Sequence, residues 1–153
     1  MPDPVVAAAR EILEDSLDQL RAAVEGCSVE QLNRRPAGDD TNGLAVLATH
    51  ALHSTRAWLG LAVDAQVPPR DRPAEFRVVV EDADAFRRGL DDLSASCRAL
   101  LDADAAFEPE RTGVASWMPP QDREPVSAAW ALIHALAHLR EHVGHAQLTR
   151  QVV

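Results

Sequence analysis

Proline leaves this chain four long windows in which a helix can run without interruption. The ten prolines occupy positions 2, 4, 36, 68, 69, 73, 109, 119, 120 and 125. Because proline is tolerated only in the first turn of a helix, each of the proline-free windows 5–35, 37–67, 74–108 and 126–153 can hold one long helix. Short connections between such helices favour antiparallel neighbours, and long ones permit a crossover. The pattern therefore predicts an all-α protein, a single four-helix bundle that occupies residues 1–153 as one domain.

The first predicted helix has clear signals at both ends. Asp3 suits the N-cap position, Pro4 suits the first helical position, and Gly26 is typical of the residue just after a helix C-terminus. Ser28 and Gln31 then have the spacing of a capping box, which predicts one more short turn as far as about residue 34.

Apolar residues at helical spacing locate the other three helices. The second is expected to begin at 40–42 and to end near 63, and the third to cover about 82–105. The fourth is expected to begin at Pro125, with its cap at Glu124 or Arg123, and to run close to the end of the chain. The connection 64–81 contains three prolines and a possible extended piece at 76–80, and the connection 106–124 contains Trp117.

Composition and charge exclude several classes of protein. Of the 153 residues, 46% are hydrophobic and 25% are charged, as in a folded globular domain, and the net charge of −9 argues against binding to nucleic acid or an anionic membrane surface. No apolar run is long enough to span a membrane and no signal peptide is visible, so we expect a cytoplasmic protein.

Two cysteines are too few for a disulfide framework. Cys97 lies on the apolar stripe of the third predicted helix and is expected to be buried. Cys27 follows a helix end, has no basic neighbour in the sequence, and is expected to be partly exposed. Neither cysteine is therefore a candidate nucleophile.

All six histidines fall in the second and fourth predicted helices. They are His50 and His53 in the second, and His134, His138, His142 and His145 in the fourth. At about 100° per residue, the four in the last helix share one face about 80° wide. Core packing favours apolar atoms, and a solvated face would carry Glu and Arg, so neither explains this row of imidazoles well.

Histidines one helical turn apart can place two imidazoles on the same metal ion. The fourth helix offers three such pairs: His134 with His138, His138 with His142, and His142 with His145. His50 lies on the inner stripe of the second helix and is the favoured third ligand, with a hydrogen-bonded core histidine as the alternative. Three protein ligands would leave positions open for water or substrate, and we expect the remaining histidines to support the ligands or lie at the surface.

Two stretches of the sequence resemble the DinB/YfiT-like superfamily. The first is Leu32-Asn33-Arg34-Arg35-Pro36 followed, after a short polar loop, by Leu44-Ala45-Val46-Leu47-Ala48-Thr49-His50. The second is the spacing of His134, His138, His142, Gly144 and His145. The resemblance implies a four-helix bundle with a long crossover between the second and third helices. It also implies a divalent metal held by one histidine of the second helix and two of the fourth, which by position are His50, His138 and His142.

The same resemblance implies chemistry that depends on a low-molecular-weight thiol such as mycothiol or bacillithiol. We therefore predict a metal-dependent S-transferase that joins such a thiol to a small-molecule electrophile, with Zn, Ni, Fe or Mn as the metal. Glu141 and His145 are close enough in sequence to the candidate ligands to shuttle a proton or orient a substrate, and are the candidate catalytic residues. The connections 64–81 and 106–124 are expected to wall the pocket. Related bundles often pair, so we also expect a homodimer.

Three other functions are compatible with the same residues. A metallohydrolase would use metal-bound hydroxide in place of a thiol. A stress or binding protein would keep the bundle, with or without a metal, and catalyse nothing. Facing histidines could also hold a haem, which would give the purified protein a Soret band.

Overall fold

The computed structural model describes residues 3–102 and 107–153, and most of them are helical. The helices are α1 (Pro4–Val24), α2 (Val29–Asn33), α3 (Leu44–Ala62), α4 (Arg72–Glu75), α5 (Ala83–Leu100) and α6 (Ala128–Arg150), with short 3-10 turns at Gly38–Asp40 and Pro120–Asp122. Strands β1 (Thr112–Val114) and β2 (Pro125–Ser127) pair antiparallel. The prediction of a mainly helical chain is confirmed, and this small sheet was not expected.

The first half of the chain begins and ends its helices where the sequence indicates. The Asp3 side chain accepts from the backbone N–H groups of Val5 and Val6, which would otherwise lack partners at the start of α1. Ser28 and Gln31 form the complete capping box of α2. The next long helix starts later than expected, since residues 38–40 form a separate 3-10 turn and α3 begins at Leu44 after Gly43.

The second half requires two further corrections of the boundaries. Pro125 does not start the last helix, because it belongs to β2, and the Ser127 side chain caps α6 by accepting from the Trp130 N–H at 3.1 Å. Residues 76 and 77 form a turn, so the possible extended piece at 76–80 does not begin there, and residues 78–80 belong to no helix or strand. The α5 helix ends at Leu100, and the expected continuation over 103–105 lies outside the described residues.

The four long helices pack side by side, with α1 and α3 each in contact with both α5 and α6. Side chains joined across these contacts give the directions of the helices. Asp15 pairs with Arg140 at 2.8 Å and Gln19 with Gln147 at 3.2 Å, so α1 and α6 run parallel. The contacts of Glu14 with Arg98, and of Arg21 with Asp91, show that α1 and α5 run antiparallel.

The α3 and α6 helices run antiparallel, because His50 contacts His142 while Trp58 contacts Trp130. It follows that α3 and α5 are parallel neighbours, so the connection 63–82 must return along the length of the helices. Asn33 ties the end of this connection to α2, since its side-chain amide donates to the Val80 carbonyl and accepts from the Val80 N–H, both at 2.8 Å. Within the described residues, no helix is both long and apolar enough to span a bilayer.

Leucine and alanine side chains of α1, α3, α5 and α6 form one buried core, which Cys97 joins. The prediction for Cys97 is therefore confirmed, and its Sγ lies 3.7 Å from the Leu52 carbonyl oxygen. The prediction for Cys27 is wrong, because this residue is only 2% exposed and its Sγ contacts the Arg150 guanidinium from α6. Because Arg150 follows Cys27 by 123 residues, the sequence around Cys27 does not indicate this basic neighbour.

Candidate metal centre

Three histidines from α3 and α6 converge between the two helices. His50, His138 and His142 each place one ring nitrogen within 4.8 Å of the others. The His50 side chain is buried, and the two on α6 are half-buried. His138 and His142 lie one turn apart on α6, and His50 faces them because α3 packs antiparallel against that helix. We call these three residues the histidine triad.

The distances within the triad fit a transition-metal ion. The Nε2 atoms of His138 and His142 are 3.2 Å apart. Two imidazole nitrogens bound to one tetrahedral zinc ion at about 2.0–2.1 Å lie roughly 3.3 Å from each other. His50 uses its Nδ1 atom in a hydrogen bond, which leaves its Nε2 atom free for a metal. The residues present therefore fit a site with three imidazole ligands.

A buried carboxylate orients His50. The Glu75 Oε2 atom lies 2.8 Å from His50 Nδ1, and Arg70 donates two hydrogen bonds to the same carboxylate at 2.7 and 2.9 Å. Burial alone would raise the pKa of Glu75, but the hydrogen bonds from His50 and Arg70 together bring it below its usual value. An ionised Glu75 favours the tautomer of His50 with the proton on Nδ1 and the lone pair on Nε2, as in many metal-binding histidines.

Sequence reasoning did not identify Arg70 or Glu75 as members of the site. A local signal for α4 exists, since Asp71 caps the helix and Pro73 lies in its first turn. That signal predicts a short helix but does not indicate that Glu75 packs on a histidine 25 residues earlier. Only the folded path of the 63–82 connection brings them together.

Two of the three triad histidines, His138 and His142, are held in the neutral form that metal binding requires. Burial lowers the pKa of His138 to about 3, and the neighbouring His142, His50 and His134 add to the effect. Burial also lowers the pKa of His142 to about 4, with a further contribution from His50. Both imidazoles therefore offer free lone pairs at neutral pH, with no proton to displace.

The two candidate catalytic residues occupy different positions relative to the triad. His145 is exposed, and its Nδ1 atom lies 3.4 Å from Nδ1 of His142. Glu141 is also exposed, and its negative charge raises the pKa of His142 and of His134 against the larger effect of burial. The structure thus brings His145 into contact with the triad and leaves Glu141 as a nearby charge.

The remaining histidines lie beside the triad. His134 stacks flat on Trp130, with ring centroids 4.6 Å apart and an interplanar angle of 9°. Its ring lies 5.7 Å from that of His138. His53 is half-buried, with its Nδ1 atom 3.3 Å from the Arg56 guanidinium. Neither His134 nor His53 belongs to the triad.

Two cavities flank the triad along α3 and α6. The first, of about 600 Å³, we call the aromatic cavity. Its lining comprises His50, Ser54, Trp58, Arg70, Arg72, Ala115, Met118, Pro119, Asp122, Glu124, Val126, Trp130, His134 and His138. Residues of both long connections contribute to this wall, which agrees with the expectation for 64–81 and 106–124. Trp117 lies outside this lining but packs edge-on against Trp58, with ring centroids 5.0 Å apart.

The second cavity, of about 610 Å³, lies beyond His145 at the other end of the triad and we call it the polar cavity. Its lining comprises Pro36, Asp40, Thr41, Asn42, Leu47, His145, Leu148, Thr149, Gln151 and Val152. The triad separates the two cavities, because His138 lines the first and His145 lines the second on the same helix.

A comparison with protein families shows to which family the chain belongs. The family model described as mycothiol-S-transferase matches residues 8–153. The chain belongs to the mycothiol-S-transferase family. This is a DinB-like family, so the resemblance noted in the sequence is confirmed. No curated protein matches the chain.

A solved structure supports the fold of this mycothiol-S-transferase family member. A conserved protein from Enterococcus faecalis, known from its crystal structure, superposes with a TM-score of 0.73. The two sequences are 18% identical, and the match covers 99% of this chain and 98% of the other. At that level of identity, the similarity establishes the shared fold alone.

Proposed function

We propose that this protein is a metal-dependent S-transferase that joins a low-molecular-weight thiol to a small electrophile. The observation that carries the proposal is the histidine triad, which lies between two cavities in a chain of the mycothiol-S-transferase family. Mycothiol is the first candidate thiol, and bacillithiol is the second. The proposed scaffold is one four-helix bundle domain over residues 1–153, with 63–82 as the long crossover.

The proposed ligands are His50, His138 and His142, and imidazole suits Zn, Ni and Fe better than Mn. A divalent metal, when bound there, would supply the positive charge that makes a nearby thiol ionise at neutral pH. In the transfer, the sulfur electron pair forms the new carbon–sulfur bond. The leaving group departs with the electron pair of the bond that breaks, and the thiol proton goes to solvent.

We assign the movement of that proton to the exposed side of the triad. His145 lies against His142 and lines the polar cavity, so its imidazole can accept a proton there and release it to water. Glu141 is exposed one turn before His145, and its carboxylate would stabilise the imidazolium that forms. Neither role needs a cysteine of the protein, which agrees with the burial of Cys27 and Cys97.

The two cavities provide separate approaches for two substrates. The polar cavity offers hydroxyl, amide and carboxylate groups from Thr41, Asn42, Thr149, Gln151 and Asp40. Such groups suit a polar, hydroxyl-rich thiol, whereas the aromatic cavity is left for the electrophile. This division would let the thiol and the electrophile meet at the triad from opposite ends.

The deciding experiment is an activity assay of the purified protein, made without a histidine tag. A generic electrophile is offered with mycothiol, bacillithiol, glutathione and cysteine in parallel, with and without added metal. Activity should require both a thiol and a metal. It should fall by about 100-fold or more in His138→Ala, because that variant removes a ligand. Cys27→Ala and His53→Ala, a histidine outside the triad, should retain activity.

Other results would reject thiol transfer. Metal-dependent turnover without any thiol would assign the site to a metallohydrolase. Tight metal binding without turnover across a broad panel of electrophiles would indicate a binding protein. A Soret band in the purified protein would reveal a haem.

A further inference from the structure

We infer that the aromatic cavity is the subsite for the electrophile and that it selects an uncharged aromatic ring. This inference rests on the proposed S-transfer, since it names the substrate class of the same site. The first support for this inference is the position of the aromatic cavity beside the triad. His50 and His138 of the triad line the cavity directly, so a ring inside it would lie next to the place where the thiol sulfur is activated.

The second support is the aromatic wall formed by Trp58, Trp130 and His134. Their ring centroids lie 4.6–5.3 Å apart, which is the range of favourable aromatic contacts. Trp130 is 47% exposed although it is a large apolar residue, so a ligand ring can still cover part of its surface. The flat stack on His134 holds the Trp130 ring in place before any ligand arrives.

The third support is the charge of the lining. Arg70 is already neutralised by its two hydrogen bonds to the buried Glu75 carboxylate. One positive group, Arg72, then faces two exposed carboxylates, Asp122 and Glu124. Met118 and Val126 fill most of the rest with apolar atoms. At this rim two exposed carboxylates outnumber the one guanidinium of Arg72, so the rim itself repels an anionic ring whatever the charge at the triad, and favours a neutral one.

The test measures binding without any chemistry. The probe is 1,3-dinitrobenzene, a neutral ring without a leaving group, titrated calorimetrically into the metal-loaded protein in the absence of thiol. The wild-type protein should bind it saturably below about 1 mM, the usual range of substrate affinity. Trp130→Ala should weaken binding by about tenfold, because both stacking and apolar contact are lost.

Two matched variants separate the role of the ring from a general effect on α6. Trp130→Phe keeps an aromatic face and should bind within about threefold of wild type. Ile133→Ala alters a residue that is 66% exposed on the same helix and does not line the cavity, so its affinity should be unchanged. Equal affinity of Trp130→Ala and wild type, or no saturable binding by the wild type, overturns the inference.

A separate binding measurement with an anionic probe tests the charge argument. At fixed metal loading, the double variant Asp122→Asn/Glu124→Gln should bind the anionic probe 3,5-dinitrobenzoate at least about threefold more tightly than the wild type does. The affinity of the same variant for the neutral probe should change less, and an unchanged affinity for the anionic probe contradicts the assigned charge selectivity.

The outcomes for the subsite and for the proposed function are distinguishable. Probe binding that depends on Trp130 in a protein without thiol transfer keeps the subsite and rejects the S-transferase. Thiol transfer without probe binding rejects the subsite and keeps the S-transferase.

Discussion

Each histidine of the triad has a different environment at its Nδ1 atom. His50 shares a hydrogen bond with the buried Glu75, and His142 lies against His145. Within the described part of the chain, the buried Nδ1 of His138 has no hydrogen-bond partner. The Nε2 atoms of His138 and His142 lie 3.2 Å apart and His50 uses its Nδ1 atom on Glu75, so the three Nε2 atoms are the candidate ligand atoms, and only His50 has a carboxylate to fix its tautomer. We therefore expect Glu75 to be a positioning residue, which would act on a bound metal through His50.

Removal of that carboxylate should weaken metal binding without removal of a ligand. We expect Glu75→Ala to lower the affinity for zinc by about 10- to 100-fold, the usual effect of losing a partner of a ligating histidine. Glu75→Gln should lose less, because its amide oxygen can still accept from His50 Nδ1. The measurement is a competition titration against a chromophoric chelator, and Glu81→Ala, an exposed carboxylate nearby in the chain, is the control.

An equal affinity of Glu75→Ala and Glu81→Ala for zinc would show that Glu75 does not position His50. Circular dichroism of both variants establishes that they remain folded. Compared with Glu75→Ala, Glu75→Gln should recover a larger share of the lost zinc affinity than of any lost folding stability. If the role of Glu75 were purely structural, both would recover to the same extent.

The thiol of Cys97 should be inert in the folded protein. Burial raises the pKa of Cys97 from 9.0 to about 12, so the folded state keeps its proton over a pH range in which the unfolded chain loses it. Stability linked to this group is therefore fully present below pH 9 and is lost as the pH rises from 9 towards 12. At pH 8–10, alkylation of native Cys97 should be about 100-fold slower than in denaturant, as followed by mass spectrometry. Similar rates in both states would contradict this expectation.

At the scale of elements, the sequence predicts those features that depend on neighbours close in the chain. The caps of α1 and α2 and the shared face of His138 and His142 are local, so spacing alone indicates them. The start of α6 is not local. Pro125 looks like a first helical residue, but its strand pairs with Thr112–Val114, and that pairing delays the helix until Ser127 can cap it.

The same difference between local and long-range contacts explains why Arg70 and Glu75 were not predicted at the site. His50 is predictable from the apolar stripe of α3, whereas Arg70 and Glu75 depend on the path of the irregular 63–82 connection. No periodicity exists in such a segment, and its contacts depend on the packing of α3 and α5 as parallel neighbours. The walls of the aromatic cavity likewise come from both long connections, so their individual residues could not be assigned in advance.

Asn33 should stabilise this arrangement as a clamp between two elements. Its amide satisfies both the N–H and the carbonyl of Val80, a residue that is only 5% exposed. Asn33→Ala would leave two backbone groups without partners, so we expect the free energy of unfolding to fall by about 1–3 kcal/mol. Denaturant unfolding measures the change, and Arg34→Ala, at the exposed neighbouring position, should cost little. An unchanged unfolding midpoint in Asn33→Ala would show that this clamp adds nothing.

At the scale of the whole molecule, the parallel pair α3 and α5 sets the layout of the site. Because the two helices are parallel, the connection 63–82 must run back along their length. This connection places Arg70, Arg72 and Glu75 at one end of the triad. At the other end, His145 contacts His142 and lines the polar cavity. A triad of three side chains with a cavity beside it fits the proposed reaction better than a purely structural metal, which usually has all its positions filled by the protein.

The homodimer expected from the sequence remains a prediction. A candidate contact is the outer face of α1, where Val5 and Ile12 lie two turns apart and are 54% and 46% exposed. A second copy of the chain would bury these side chains, and the net charge of −9 limits wider association. Light scattering at micromolar concentration should give twice the 16.6 kDa of one chain. Ile12→Glu should shift the mass towards the monomer, whereas Val79→Glu, at an exposed position outside α1, should not. A wild-type mass of one chain would exclude the dimer, and a dimer that survives Ile12→Glu would place its interface elsewhere.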